Sequence, residues 1–197
     1  MLDNDRFSDW VTLRSNATIQ QTGALFATLS LRYRFSDYFN QFIPPDGRDV
    51  RDRDGRSVRA GFDQYLTFNK KRSYARLSYH YEVSRNDGSD WEYDSHHVGL
   101  GLHTPLRWGI TLSLTGAFQR RDYLHVNSFS AAPLAVLTPK DDRPRLDDRL
   151  TGSIRLTRSL WRSLTLSAAY MHTRNRSNLS FFDYRRNIVT LALSGRY

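Results

Sequence analysis

The sequence has no cysteine in its 197 residues. That absence excludes disulfide frameworks, thiol nucleophiles and thiolate metal sites. Long apolar runs are also missing. None reaches the roughly 18 residues that a membrane-spanning helix needs, and the longest uncharged stretches, such as Ser15 to Leu31, are full of Thr, Ser and Gln. Proline is scarce, at 6 residues, and three of these (Pro133, Pro139, Pro144) lie in one segment between Asp122 and Asp148. Acidic residues fall short of basic ones, 20 against 29, which leaves a net charge of +9. Such a balance favours anionic partners. Without any nucleic-acid-binding motif, basicity alone does not argue for DNA or RNA, and no nucleic-acid partner is expected. The N-terminus, Met1-Leu2-Asp3-Asn4-Asp5-Arg6, lacks the basic start and apolar core of a signal peptide, so the chain is expected to be mature, truncated or recombinant.

Aromatic residues, in contrast, are abundant: 11 Tyr, 11 Phe and 4 Trp. They sit within long segments of period-two alternation. In Ala24 to Phe35, the residues Leu25, Ala27, Leu29, Leu31, Tyr33 and Phe35 fall on one face, and Phe26, Thr28, Ser30, Arg32 and Arg34 fall on the other, mostly polar one. The pattern returns around Val58–Phe68, Ala75–Val83, His97–His103, Ile110–Gln119, Leu150–Leu156, Leu164–Thr173 and Val189–Tyr197. These are about eight strands of roughly 10–14 residues, with a weaker ninth over Phe7 to Asn16. Soluble strands average about 5–6 residues, whereas a tilted membrane strand needs about 9–11.

The connections alternate in length. Short ones lie at Asn69 to Arg72, Thr104 to Arg107 and Ser159 to Arg162; longer ones lie at Asp37 to Arg56, Arg85 to Glu92, Asp122 to Asp148 and Asn175 to Phe182. Outer-membrane barrels have short periplasmic turns and long outer loops. With the last strand running inward, every short turn falls on the periplasmic side. Tyr33, Phe35, Tyr79, Tyr81, Phe118 and Tyr170 then mark the outer interface, and Phe68, Trp108 and Tyr197 the inner one. The fold expected is an all-β, antiparallel, transmembrane up-and-down barrel of at least eight strands, whole or a fragment of a larger barrel. Residues 1–22 form an N-terminal segment or an additional strand, and residues 23–197 form the barrel. The location expected is the bacterial outer membrane.

The run Tyr170-Met171-His172-Thr173-Arg174-Asn175-Arg176-Ser177-Asn178, followed by Asp183-Tyr184-Arg185-Arg186-Asn187-Ile188-Val189 and a strand ending in Tyr197, resembles the C-terminal barrels of tetratricopeptide-linked outer-membrane proteins. His97-Val98-Gly99-Leu100-Gly101-Leu102 and Pro105-Leu106-Arg107-Trp108-Gly109 share the likeness. That group includes exopolysaccharide-export porins and surface lipoprotein assembly modifiers. The resemblance implies a channel or assembly role, and a C-terminal strand read by the barrel-assembly machinery. The helical repeats of the group do not appear in this sequence.

Parity places Arg32, Arg34, Arg59, Arg76, Arg121 and Arg155 on the inward face, with His80, His97 and His103; Asp63 and Glu82 are the main inward acids. One reading is a cationic, pore-lining set that steers an anionic solute or a polymer such as exopolysaccharide through an export channel. The other is a closed structural or assembly barrel, with arginines paired to acids and with its rim or loops binding lipopolysaccharide or a periplasmic or outer-membrane protein. Arg174, Arg185 and Arg186 gather at the outer rim, where charge-assisted hydrogen bonds to lipopolysaccharide phosphates are feasible. In the loop Asp46 to Arg56, Asp49, Asp52 and Asp54 are potential calcium ligands, but the arginines between them point instead to a solvated loop. Asp94-Ser95-His96-His97 holds residue types of a hydrolase. Ser95 and His96 point to opposite faces, so no catalytic residue, metal or cofactor is expected.

Overall fold

The computed structural model describes residues 8–38, 50, 52–128, 143–161 and 164–195. Nine strands follow one another in chain order: β1 (Ser8–Gln20), β2 (Leu25–Tyr38), β3 (Gly55–Phe68), β4 (Ser73–Asn86), β5 (Tyr93–Pro105), β6 (Ile110–Tyr123), β7 (Leu146–Trp161), β8 (Leu164–Ser177) and β9 (Tyr184–Gly195). Each pairs antiparallel with its sequence neighbour, giving a single up-and-down sheet in the order β1 to β9. Within the described residues the alternating segments of the sequence fall inside these strands, except that Ala24 precedes β2. Several strands run further than the alternation alone marks: β7 begins at Leu146 rather than Leu150.

The two faces of the sheet are opposite in character. Along β2, the residues Leu29, Leu31, Tyr33 and Phe35 are exposed on the convex side, while Thr28, Ser30, Arg32 and Arg34 are partly buried on the concave side. The whole molecule repeats this inversion. Among the described residues, the buried hydrophobics are Ala27, Tyr123 and Leu179, whereas the buried polar set includes Ser73, Ser78, Ser84, Asp90, Ser95, Asp147, Thr173 and Asn175. A soluble β-sandwich or barrel hides its apolar side, because exposed apolar surface in water is costly. This sheet hides its polar side. Its convex face carries Leu77, Leu100, Leu114, Leu166, Leu191 and Leu193 in the open. A bilayer is the solvent in which that arrangement is favourable.

The described strands do not close on themselves: β1 pairs with β2 and β9 with β8, and the two outer strands do not meet. Every residue of β9 is exposed. A bilayer does not tolerate unsatisfied edge N–H and C=O groups, so this sheet is consistent with a part of a larger barrel.

The short connections 21–24, 69–72 and 106–109 lie at one end of the sheet, and the longer connections 87–92 and 178–183 lie at the other. Two of the tight turns are strained. Asn69, Lys70 and Lys71 have φ of 51°, 54° and 64°, and Trp108 has φ 60°, followed by Gly109 at φ 69°. Left-handed backbone is uncommon outside glycine, and the turn hydrogen bonds Arg72 N–H to Asn69 O (3.1 Å) and Leu106 N–H to Ile110 O (2.7 Å) hold it in place. Trp108, 80% exposed in its turn, suits an interfacial anchor. At the opposite end buried Asp90 fastens the loops together. It accepts the Ser128 backbone N–H at 2.8 Å, while its own N–H donates to Val50 O at 2.9 Å. Pro133, Pro139 and Tyr197 lie outside the described residues.

Two tests follow from this geometry. Leu29→Arg, on the apolar face, should destabilise the folded protein by about 2–4 kcal/mol. Thr28→Arg should cost far less, since Thr28 faces Asp63 across the β2–β3 ladder. Urea unfolding in lipid vesicles reads the difference, and equal costs would contradict the face assignment. The second test uses the absence of native cysteine, which permits clean single-site labelling. Ser180→Cys should react with a membrane-impermeant maleimide on intact cells, and Lys71→Cys only after permeabilisation; the reverse pattern would invert the topology.

Candidate functional site

The cross-strand register assembles the concave face. Arg14, Arg32, Arg59 and Glu82 are successive partners across β1 to β4. Three like charges in a row are unfavourable unless an acid or water meets them. Glu82 supplies that acid: its Oε2 lies 3.2 Å from Arg32 Nη2 and 4.0 Å from Arg59 Nη1, and its Oε1 accepts the Tyr93 hydroxyl at 3.4 Å. Asp63 is a second centre, 4.0 Å from Arg76 Nε and 3.7 Å from His80 Nε2. The His80 ring stacks obliquely on His97 at 5.8 Å. A close approach makes this possible, since a Cβ at Gly61 would collide with the His80 ring. Four of the seven expected pore-lining residues (Arg32, Arg59, Arg76 and His80) thus gather around the two inward acids.

Arg34 and Arg121 do something different. Both line a cavity of about 390 Å³ at the long-loop end of the concave face. Arg53, Arg56, Arg145, Trp91, Tyr93, Tyr123 and Phe182 complete much of its wall. The guanidinium groups lie over rings: Arg34 over Trp10 at 5.4 Å, Arg53 over Trp91 at 4.4 Å, Arg121 over Tyr93 at 4.9 Å, and Arg145 over Tyr123 at 4.4 Å and Phe182 at 3.3 Å. Such cation–π stacking fixes the planes of the guanidinium groups. Arg145 also forms a buried ion pair with Asp147. Sequence parity found Arg34 and Arg121 but missed Arg53, Arg145 and Phe182. These come from strand ends and loops, where alternation carries no information.

Arg155, the seventh residue, sits on the inward parity between Ser113 and Ala169, but it is exposed and joins neither cluster. The rim trio is divided. Arg174 and Arg185 are directly opposite each other on the convex side, whereas Arg186 is opposite Thr173 on the concave side. Next to the first pair, Asn187 Oδ1 accepts the Tyr170 hydroxyl at 2.9 Å and lies 2.6 Å from His172 Nδ1.

Ser95 is buried and accepts from Gln119 Nε2 at 3.0 Å, while His96 points to the other face, with Nδ1 2.8 Å from the Tyr79 hydroxyl. A Ser–His contact exists elsewhere, between Ser113 Oγ and His103 Nδ1 at 3.0 Å. No carboxylate among the described residues orients that histidine, as a nucleophilic triad requires. In the loop before β3, Asp52 Oδ1 accepts the Asp54 N–H at 2.8 Å and Asp54 Oδ1 accepts the Tyr38 N–H at 2.6 Å, so both act as loop staples. Asp46 and Asp49 lie outside the described residues.

An inverted antiparallel sheet of long strands, apolar outside and charged within, defines a transmembrane β-barrel protein of the bacterial outer membrane. Residues 51–197 match the family model described as surface lipoprotein assembly modifier. The chain therefore belongs to that family. Of the two groups the sequence resembles, the match is to the assembly modifiers and not to the exopolysaccharide-export porins. Among curated proteins and among solved structures, none matches the chain.

The acid centres invite a direct test. Glu82→Gln leaves Arg32 and Arg59 without their carboxylate. With these side chains 14–29% exposed, the cost should be about 1–3 kcal/mol, below that of breaking a fully buried pair. Arg155→Gln should be neutral to within about 0.5 kcal/mol. Urea unfolding midpoints separate the two, and an equal response would mean that the Glu82 cluster is not a structural centre.

Proposed function

We propose that the protein acts as a non-enzymatic outer-membrane barrel that assists the placement of lipoproteins on the cell surface. The observation that carries this reading is the family match across residues 51–197, which covers the sheet from β3 to β9. The chemistry of the concave face supports it. An anion-selective export channel needs inward cations that remain available to the solute. Here Arg32 and Arg59 share Glu82, and Arg76 and His80 share Asp63. The middle of the face is therefore a braced wall more than an open charge ring. The outer loops and the basic cavity beside them offer the surface for a polypeptide passenger. Arg174 and Arg185, unbraced on the convex side, suit the phosphates of surrounding lipopolysaccharide. The helical repeats seen in the resembling group would supply a periplasmic contact in the full-length product.

The test is the surface exposure of a native lipoprotein, read by protease or antibody on intact cells, with and without the gene. Deletion should retain the lipoprotein in the cell while exopolysaccharide in the medium is unchanged. Loss of exopolysaccharide with normal lipoprotein display would favour the export channel and overturn the proposal.

A further inference from the structure

We infer that the cavity at the long-loop end is an anion-recognition site that takes carboxylates from an acidic stretch of polypeptide. Among the described residues five arginines line it (Arg34, Arg53, Arg56, Arg121 and Arg145) against a single lining carboxylate, Glu82, and Asp147 behind the wall pairs with Arg145. The Glu82 carboxylate is already engaged by Arg32, Arg59 and the Tyr93 hydroxyl. Three N–H donors in this wall are buried and have no hydrogen-bond partner: Nε of Arg34, Nε of Arg121 and Nη1 of Arg145. A buried unsatisfied donor on a charged group is costly, so three around one cavity mark a place where an acceptor belongs. The rings beneath Arg34 and Arg121 hold the guanidinium planes, leaving their N–H edges as a preset fork for oxyanions, whereas Arg145 commits Nε and Nη2 to Asp147 and offers only Nη1.

Position decides between the anions. A lipid phosphate in the outer leaflet meets the convex face, whereas this cavity lies on the concave side. Its ligand must arrive through the lumen or past the loops. Beyond the cavity Arg32 and Arg59 are held by Glu82, so recognition is confined to the cavity wall. Guanidinium groups contributed by separate strands and loops around that wall suit an extended chain with spaced carboxylates better than a compact headgroup. Trp91, Tyr93 and Phe182 add apolar and amphipathic surface for the intervening side chains. This inference names the substrate chemistry of the proposed assembly role, and it rests on that reading for the identity of the polypeptide as a lipoprotein passenger.

The test is fluorescence anisotropy with the full-length protein in detergent micelles and a labelled oligo-glutamate peptide. An oligo-glutamine peptide and glucosamine phosphate serve as comparison probes. The glutamate peptide should bind, with affinity falling as salt rises. Arg34→Gln and Arg121→Gln should each weaken binding about tenfold or more, and Arg155→Gln should leave it unchanged. Arg121→Lys, which keeps the charge but loses the fork, should fall between. Equal binding of the glutamine peptide, salt-independent binding, or an Arg121→Gln protein with normal affinity would each overturn the site. So would glucosamine phosphate binding without the glutamate peptide. Peptide binding that depends on Arg34 and Arg121, in a protein whose deletion leaves lipoprotein display intact, would uphold the site and reject the assembly reading. Display that requires the protein, with no peptide binding, would do the opposite.

Discussion

A bilayer offers no hydrogen bonds to a backbone, and that constraint governs this molecule. Each strand that crosses hydrocarbon must have its N–H and C=O groups paired along its length. Strands of 13–16 residues, each laddered to its sequence neighbours, meet that demand across β2 to β8. The same solvent reverses the usual placement of side chains. Leucine, valine and aromatic residues are exposed, because their environment is lipid, and Ser, Thr and Asn are buried against one another.

The inversion explains why charge concentrates where it does. Cations are sparse in the apolar band of the convex face, where Arg158 stands beside Leu166 toward the short-turn end, and the arginines of the mid-span, Arg14, Arg32, Arg59 and Arg76, fall on the concave side. There the pleat brings them into rows and the acids into contact with them. Glu82 and Asp63 are each placed where one carboxylate meets two cationic side chains. Toward the long-loop end rings join the arginines, with Trp91, Tyr93, Tyr123 and Phe182 set among them and Asp147 paired with Arg145. One face therefore has two regimes: a braced middle and a receptive mouth.

Period-two alternation is a strong signal when it persists beyond ten residues, and Leu25 to Phe35 illustrates why the strands and faces could be read from sequence. Parity also placed Arg32, Arg59, Arg76 and His80 on the same side as Glu82 and Asp63. What parity does not give is register, and register decides that Arg59, and not Arg155, meets an acid. The pleat divided the rim residues: Arg185 and Arg186 are adjacent in sequence, yet their side chains fall on opposite faces, and register makes Arg174 the partner of Arg185. The aromatic–arginine cavity was illegible for another reason. Its walls come from β2, β3, β4, β5, β6 and four connecting segments, so residues that form it are as much as a hundred or more positions apart, from Arg34 to Phe182.

The most direct test of the central claim, an inverted sheet with lipid on one side and a polar interior on the other, is a spin-label scan along β8 in lipid vesicles. The cysteine-free background allows one nitroxide at a time from Leu166 to Thr173. Collision with oxygen, which partitions into lipid, should peak at Leu166, Ala168 and Tyr170. Collision with a polar nickel chelate should be favoured at Ser167, Ala169 and Thr173. A period of two with these phases is the predicted result. Oxygen accessibility that is uniform along the strand, or highest at Ser167 and Thr173, would contradict the account.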